Sequence, residues 1–144
     1  MALHEMMNYS QLFLEIFNEL QQIEDRGRVA DYIPELAHIN PDHFGVHLTT
    51  IDGRQYAFGD SEVRFSIQSI AKVFTFVLAY SRVKSNIWER MDMEPAGTPF
   101  NSLIQLEYDR GIPRNPFINA GSMVVCDILA DQLASPRENV LAFI

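Results

Sequence analysis

The stretch RFSIQSIAKVFTFVLAY, residues 64–80, places Ser69 and Lys72 three residues apart, where a short extended run gives way to an apolar helical run. A charged amine inside Ile-Ala-Lys-Val-Phe-Thr-Phe-Val-Leu-Ala is costly to bury. It has to snorkel to water, find a partner, or serve as a neutral base. Ser-x-x-Lys is a weak pattern by itself, and the chain contains it twice, at Ser69/Lys72 and at Ser81/Lys84. Context separates the two. Ser81 follows the apolar run beside Arg82, at a solvated helix end. Ser69 sits at a strand-to-helix junction. There a hydroxyl has a lysine one turn on along the same face, and its backbone N–H can meet a developing oxyanion. Desolvation by Val73 and Phe76 would favour a neutral lysine. The plainer alternative makes Ser69 an N-cap and Lys72 a snorkelling surface residue.

Working outward, the run from Val63 to Gln68 reads as a short extended segment. The helix beginning near Ser69 is apolar on most faces, which predicts a central, buried element that turns polar at Arg82-Val83-Lys84. Upstream, Phe44, Val46 and Leu48 alternate, Asp52-Gly53 supplies a turn, and Tyr56 and Phe58 lie on the return strand, which predicts a hairpin. Tyr9, Leu12, Phe13, Ile16, Phe17, Leu20 and Ile23 recur at helical spacing, and Gly27 is the expected stop. Tyr32 falls in an irregular stretch before Pro34. Residues 91–118 are rich in Pro and Gly, with a helix expected from Asn101 to Tyr108. INAGSMVVCDILADQL (118–133) predicts an apolar helix packed on the one after Ser69, with Cys126 in the core. Ser135-Pro136-Arg137-Glu138 predicts a capping box and a last helix. That helix runs only to Ile144 with no stop signal, which reads as a cut, the alternative being a short terminal helix docked by Leu141 and Ile144.

The 144 residues carry a net charge of −8 and are 47% hydrophobic. Without clustered Lys and Arg there is no footprint for nucleic acid. A single cysteine excludes an internal disulfide framework. The N-terminal run MALHEMMNYSQLFLEIF has neither the basic start nor the apolar centre of a signal peptide, and no apolar run is long enough to span a bilayer. His4, His38, His43 and His47 lack metal-ligand spacing, so no metal is expected. Asn119, at the start of an apolar helix, is a cap or a ligand-binding amide.

Five stretches in order, GRVADYIPELA (27–37), TTIDGRQYAFGD (49–60), FSIQSIAKV (65–73), GTPFNSL (97–103) and GIPRNPFINAGSMVVCD (111–127), resemble the serine-dependent glutaminase family of bacterial and mitochondrial type. The resemblance implies an α/β fold of the serine β-lactamase/transpeptidase-like kind, an antiparallel sheet with packed helices, incomplete in this chain, with residues 1–144 the N-terminal part of a single catalytic domain. It implies Ser69 as nucleophile, Lys72 as base, and Tyr32, Gln68, Ser69 and Asn119 at the substrate site. The implied reaction hydrolyses L-glutamine to L-glutamate and ammonia, with no metal or organic cofactor. It further implies a cytoplasmic homo-oligomer when full length, with no nucleic-acid or membrane partner. Site residues downstream of Ile144 are implied too, so this chain alone is expected to be inactive or nearly so. Two rivals are a penicillin-recognising serine hydrolase of the same fold, and a truncated chain acting only as a binding module.

Overall fold

Asn8 opens the first helix by accepting the Gln11 N–H on its side-chain oxygen, which satisfies one of the donors a helix start leaves orphaned. The computed structural model describes residues 8–25, 27–99, 102 and 104–144. His4 and the rest of the N-terminal run before Asn8 lie outside the described residues, as do Phe100, Asn101 and Leu103. The chain divides into two units, residues 1–65 and 66–144.

In the first unit, α1 spans Tyr9–Leu20. It ends earlier than Gly27 because Gln22 and Ile23 turn back to the Glu19 and Leu20 carbonyls in tighter bonds. Strands β1 (Gly45–Thr49) and β2 (Gln55–Gly59) pair antiparallel, with Val46 opposite Phe58 and Leu48 opposite Tyr56. These four side chains share the half-buried face while His47 and Ala57 point outward, as the alternation predicts. Aromatic rings fasten α1 to that face: Phe17 lies 5.3 Å from Phe44 and 5.4 Å from Phe58, and Tyr9 lies 5.0 Å from Tyr56.

The turn holds Gly53 at φ +84°, a conformation that disfavours any Cβ. Beside it the Thr50 hydroxyl, then the Arg54 guanidinium, bond Asp52 and hold its carboxyl down at about 2. A carboxylate with a lowered pKa lends stability above its ordinary value and loses it as pH falls toward the folded value. The turn is therefore expected to loosen between about pH 3.8 and 2. Amide exchange at Gly53, followed across that window in the wild type and in Asp52→Asn, checks this. The variant should show no such step.

The run Val63–Gln68 forms no strand. The sheet among the described residues has two strands only, so the run has no ladder partner, and Phe65 is exposed.

The second unit begins with a 3₁₀ turn, Gln68–Ile70, that continues directly into α2, Ala71–Val83. Lys84 ends α2 at φ +54° and starts a 3₁₀ segment, Lys84–Glu89. A short α3 covers Ile104–Tyr108, then α4 spans Asn119–Gln132 and α5 Pro136–Phe143. Leu78 and Ala79 of α2 pack with Ile87, Met91 and the α4 residues Val125, Ile128 and Leu129, which together form the core of this unit. Within this unit expectation and structure part again. The α2 helix is buried on one side only, and Val73 and Val77 stay about half exposed because α4, α5 and the 3₁₀ segment all take its other side. Cys126 is exposed, since the core face of α4 is set by Gly121, Val125, Ile128 and Leu129, one turn apart. Ser135 precedes Pro136 as expected, yet makes no side-chain cap, so the capping box does not form. The last helix docks through Val140, while Leu141 and Ile144 are exposed.

Candidate active site

The spacing of Ser69 and Lys72 acquires its geometry from the helical run that follows Gln68. Three residues along such a run bring two side chains onto one face. Gln68 carries the strain of the junction. Its φ is +43°, the left-handed region, which costs a bulky residue about 1–2 kcal/mol. Ser69 is exposed and makes no cap, for the N-cap positions of the 3₁₀ turn and of α2 are Ile67 and Ile70, neither with a side-chain cap bond.

Lys72 does not snorkel. Its half-buried side chain reaches to the start of α4, where Nζ donates to Asn119 Oδ1 at 2.7 Å and to the Phe117 carbonyl at 3.1 Å. Asn119 is the first residue of α4, with Ile118 as its N-cap, so its carboxamide faces the lysine and does not cap the helix. Within the second unit the structure thus joins Lys72 to Asn119 and keeps Gln68 and Ser69 one turn before Lys72. Tyr32 belongs to the first unit, in a run of turns, with its ring 81% exposed.

The second Ser-x-x-Lys pair is built differently. Ser81 Oγ donates to the Leu78 carbonyl at 2.7 Å within α2, and Lys84 is exposed at the helix end. A hydroxyl spent on its own helix backbone is a structural hydroxyl.

Asn115 is part of this neighbourhood, and the spacing of charged residues gives no hint of it. Its Oδ1 accepts the N–H groups of Phe117 and Ile118 at 3.0 and 3.1 Å. The signal available in the sequence is the Asn115-Pro116 dipeptide, a turn starter whose side chain bonds its own backbone two residues on. Near it, Arg114 forks onto Asp109 at 2.8 and 3.1 Å, and this bond, with one from Gln105, lowers the Asp109 carboxyl pKa. Among the described residues no cluster of three or more His, Cys, Asp or Glu side chains is arranged to hold a metal ion. No helix among them is long and apolar enough to cross a membrane.

Comparison with known proteins places these residues in a family. The glutaminase family model matches residues 27–144. The chain is 54% identical over 138 residues to a glutaminase of Saccharophagus degradans, which covers 96% of this chain and 45% of that protein. Among solved structures it is similar to a probable glutaminase, ybaS, at a TM-score of 0.81 and 31% identity, covering 93% of this chain and 44% of the other. It is also similar to Mglu, crystallised in its L-glutamate binding form, at a TM-score of 0.73 and 35% identity, covering 90% of this chain and 28% of the other. The chain spans less than half the length of these relatives. Its two-stranded antiparallel sheet and packed helices are the α/β arrangement of the bacterial glutaminases, which is serine β-lactamase-like. The family match takes in the serine–lysine junction, the 3₁₀ segment and the start of α4 together, and the chain belongs to the glutaminase family.

Proposed function

We propose that the protein carrying this chain hydrolyses L-glutamine to L-glutamate and ammonia, with Ser69 as nucleophile and Lys72 as its base. The observation that supports it most is the placement of Lys72, one helical turn beyond Ser69 and held from α4 by Asn119, inside the region that matches the family. Lys72 takes the Ser69 proton as Oγ attacks the side-chain carboxamide carbon. The Ser69 N–H donates to the resulting oxyanion. The proton passes to the nitrogen, the C–N bond breaks, and ammonia leaves a γ-glutamyl ester. Water then adds to the ester carbonyl, and collapse of that adduct returns the proton to Oγ and frees glutamate. Gln68 and Asn119 hold the amino-acid end of the substrate, a role the resemblance also implies for Tyr32. No step calls for a metal or an organic cofactor. A cytoplasmic homo-oligomer, built on a chain of the relatives' full length, belongs to the same reading. The penicillin-recognising alternative has no support from the family match.

Glutamine against asparagine is the test. With the amino-acid end gripped, one methylene less draws the carboxamide about a bond length away from Ser69, and about 1 Å of misplacement can cost roughly a hundredfold. Ammonia release from each amide is measured on the 144-residue chain and on a chain carried on to the length of the curated relatives. Turnover of glutamine about a hundredfold faster than asparagine is expected from the longer chain, and little or none from the shorter. Equal turnover of the two amides would show that the proposed grip is absent.

A further inference from the structure

Among the described residues the Phe117 carbonyl and the Asn119 carboxamide accept from the Lys72 amine, and both belong to the five-residue strip 115–119. One side chain organises that strip. Asn115 Oδ1 takes the N–H groups of Phe117 and Ile118, which turns the chain into α4, and its Nδ2 donates to the Glu94 carbonyl at 2.9 Å. The same two segments are already tied by backbone bonds, Asp92 N–H to the Pro113 carbonyl at 2.8 Å and Glu94 N–H to the Arg114 carbonyl at 2.7 Å. Asn115 extends this ladder by one rung through its side chain. From the other side, Gly121 lets the first turn of α4 press on the strip, since a Cβ there would run into the Asn115 carbonyl. Pro116 is buried between them with its φ fixed by the ring. The strip is thus anchored to residue 94, bonded to itself and backed by α4.

From this arrangement we infer that Asn115 is a positioning residue for Lys72: its carboxamide sets the entry of the chain into α4 and so aims the Phe117 carbonyl and the Asn119 side chain at Nζ. Its catalytic consequence rests on the proposed role of Lys72 as base, whereas the placement itself rests on the bonds just described. Asn115 touches neither Ser69 nor the reacting atoms in this scheme. It acts through the two acceptors, and it does so with the acceptor half of its carboxamide, the donor half serving only the Glu94 anchor.

The chain has two lysines, Lys72 and Lys84, so lysine labelled with 15N gives two side-chain signals, and Lys84→Arg identifies the one from Lys72. In the wild-type chain the Lys72 amine protons should exchange slowly, held by the Phe117 carbonyl and the Asn119 side chain. Asn115→Ala should speed their exchange at least about tenfold toward the rate of Lys84. Asn115→Asp keeps the oxygen that accepts from Phe117 and Ile118 and should restore slow exchange. Asn115→Gln keeps the groups but displaces them by one methylene, and it should behave like alanine, which covers the case of an alanine variant that does not fold. A Lys72 signal unchanged in folded Asn115→Ala or Asn115→Gln overturns the inference, and so does failure of Asn115→Asp to restore it. In a chain active on glutamine, Asn115→Ala should lower kcat/KM about a hundredfold, the cost of roughly 1 Å of misplacement, because it disturbs Lys72 and, through Asn119, the grip on the substrate. A lost Lys72 signal with unchanged kcat would overturn Lys72 as base and leave the placement standing.

Discussion

Replacing Ser69 with alanine is expected to lower kcat for glutamine hydrolysis by about 10⁴- to 10⁶-fold in an active protein carrying this chain, the range seen when a nucleophile is lost from an interacting set. Lys72→Ala should fall in the same range, and the double variant should be no worse than either single one. Nucleophile and base act as one unit, so removing the second partner after the first removes nothing further. Ser81→Ala should leave turnover near wild type, because that hydroxyl serves the Leu78 carbonyl within α2. Steady-state ammonia release from the four variants decides the matter. Comparable losses from Ser69→Ala and Ser81→Ala, or a double variant far below both singles, would refute the assignment.

Leu129→Ala should be among the costliest single substitutions for stability, at about 2–5 kcal/mol. Leu129 is 2% exposed in the cluster that includes Leu78, Ile87, Met91 and Val125. Alanine keeps the helix, so the loss is that of packing and of the cavity left behind. Met123→Ala is the control on the same helix. Its side chain is 68% exposed, and its effect should stay within about 0.5 kcal/mol. Urea unfolding of the two variants with a shared slope gives the difference directly. Since single domains are stable by only about 5–15 kcal/mol, a loss of this size should be plain in the midpoint. Equal midpoints for the two variants would mean that the packing face of α4 has been misassigned.

Legibility followed the range of the interaction. The hairpin could be read from residues 44–58 because a period of two and an Asp-Gly turn are local facts, and the register Val46–Phe58 follows from them. The helix boundaries near Ser69, Val83 and Asn119 were likewise written locally. Burial was not. Val73 and Val77 are as apolar as Leu78, and only the positions of α4, α5 and the 3₁₀ segment determine which of them is covered. The exposure of Cys126 has the same cause, since one residue around a helix moves a side chain from the core face to solvent. The extended run before Gln68 has strand-like residues and, among the described residues, no strand pairs with it. In the site itself, the serine–lysine spacing was legible, and the resemblance singled out Asn119. That Asn119 bonds the lysine was not legible, nor was Asn115, because those bonds join residues 45 and 47 positions apart or depend on the path between them.

The left-handed turn at Gln68 sets stability and chemistry against each other at one codon. Glycine would release the torsion that glutamine holds at φ +43°, and it would take away the carboxamide proposed to meet the substrate. Selection for thermal robustness alone therefore pulls position 68 toward glycine, and only a requirement for turnover pulls it back. On the proposed role of Gln68, drift to glycine at the residue before Ser69 trades turnover for a sturdier chain.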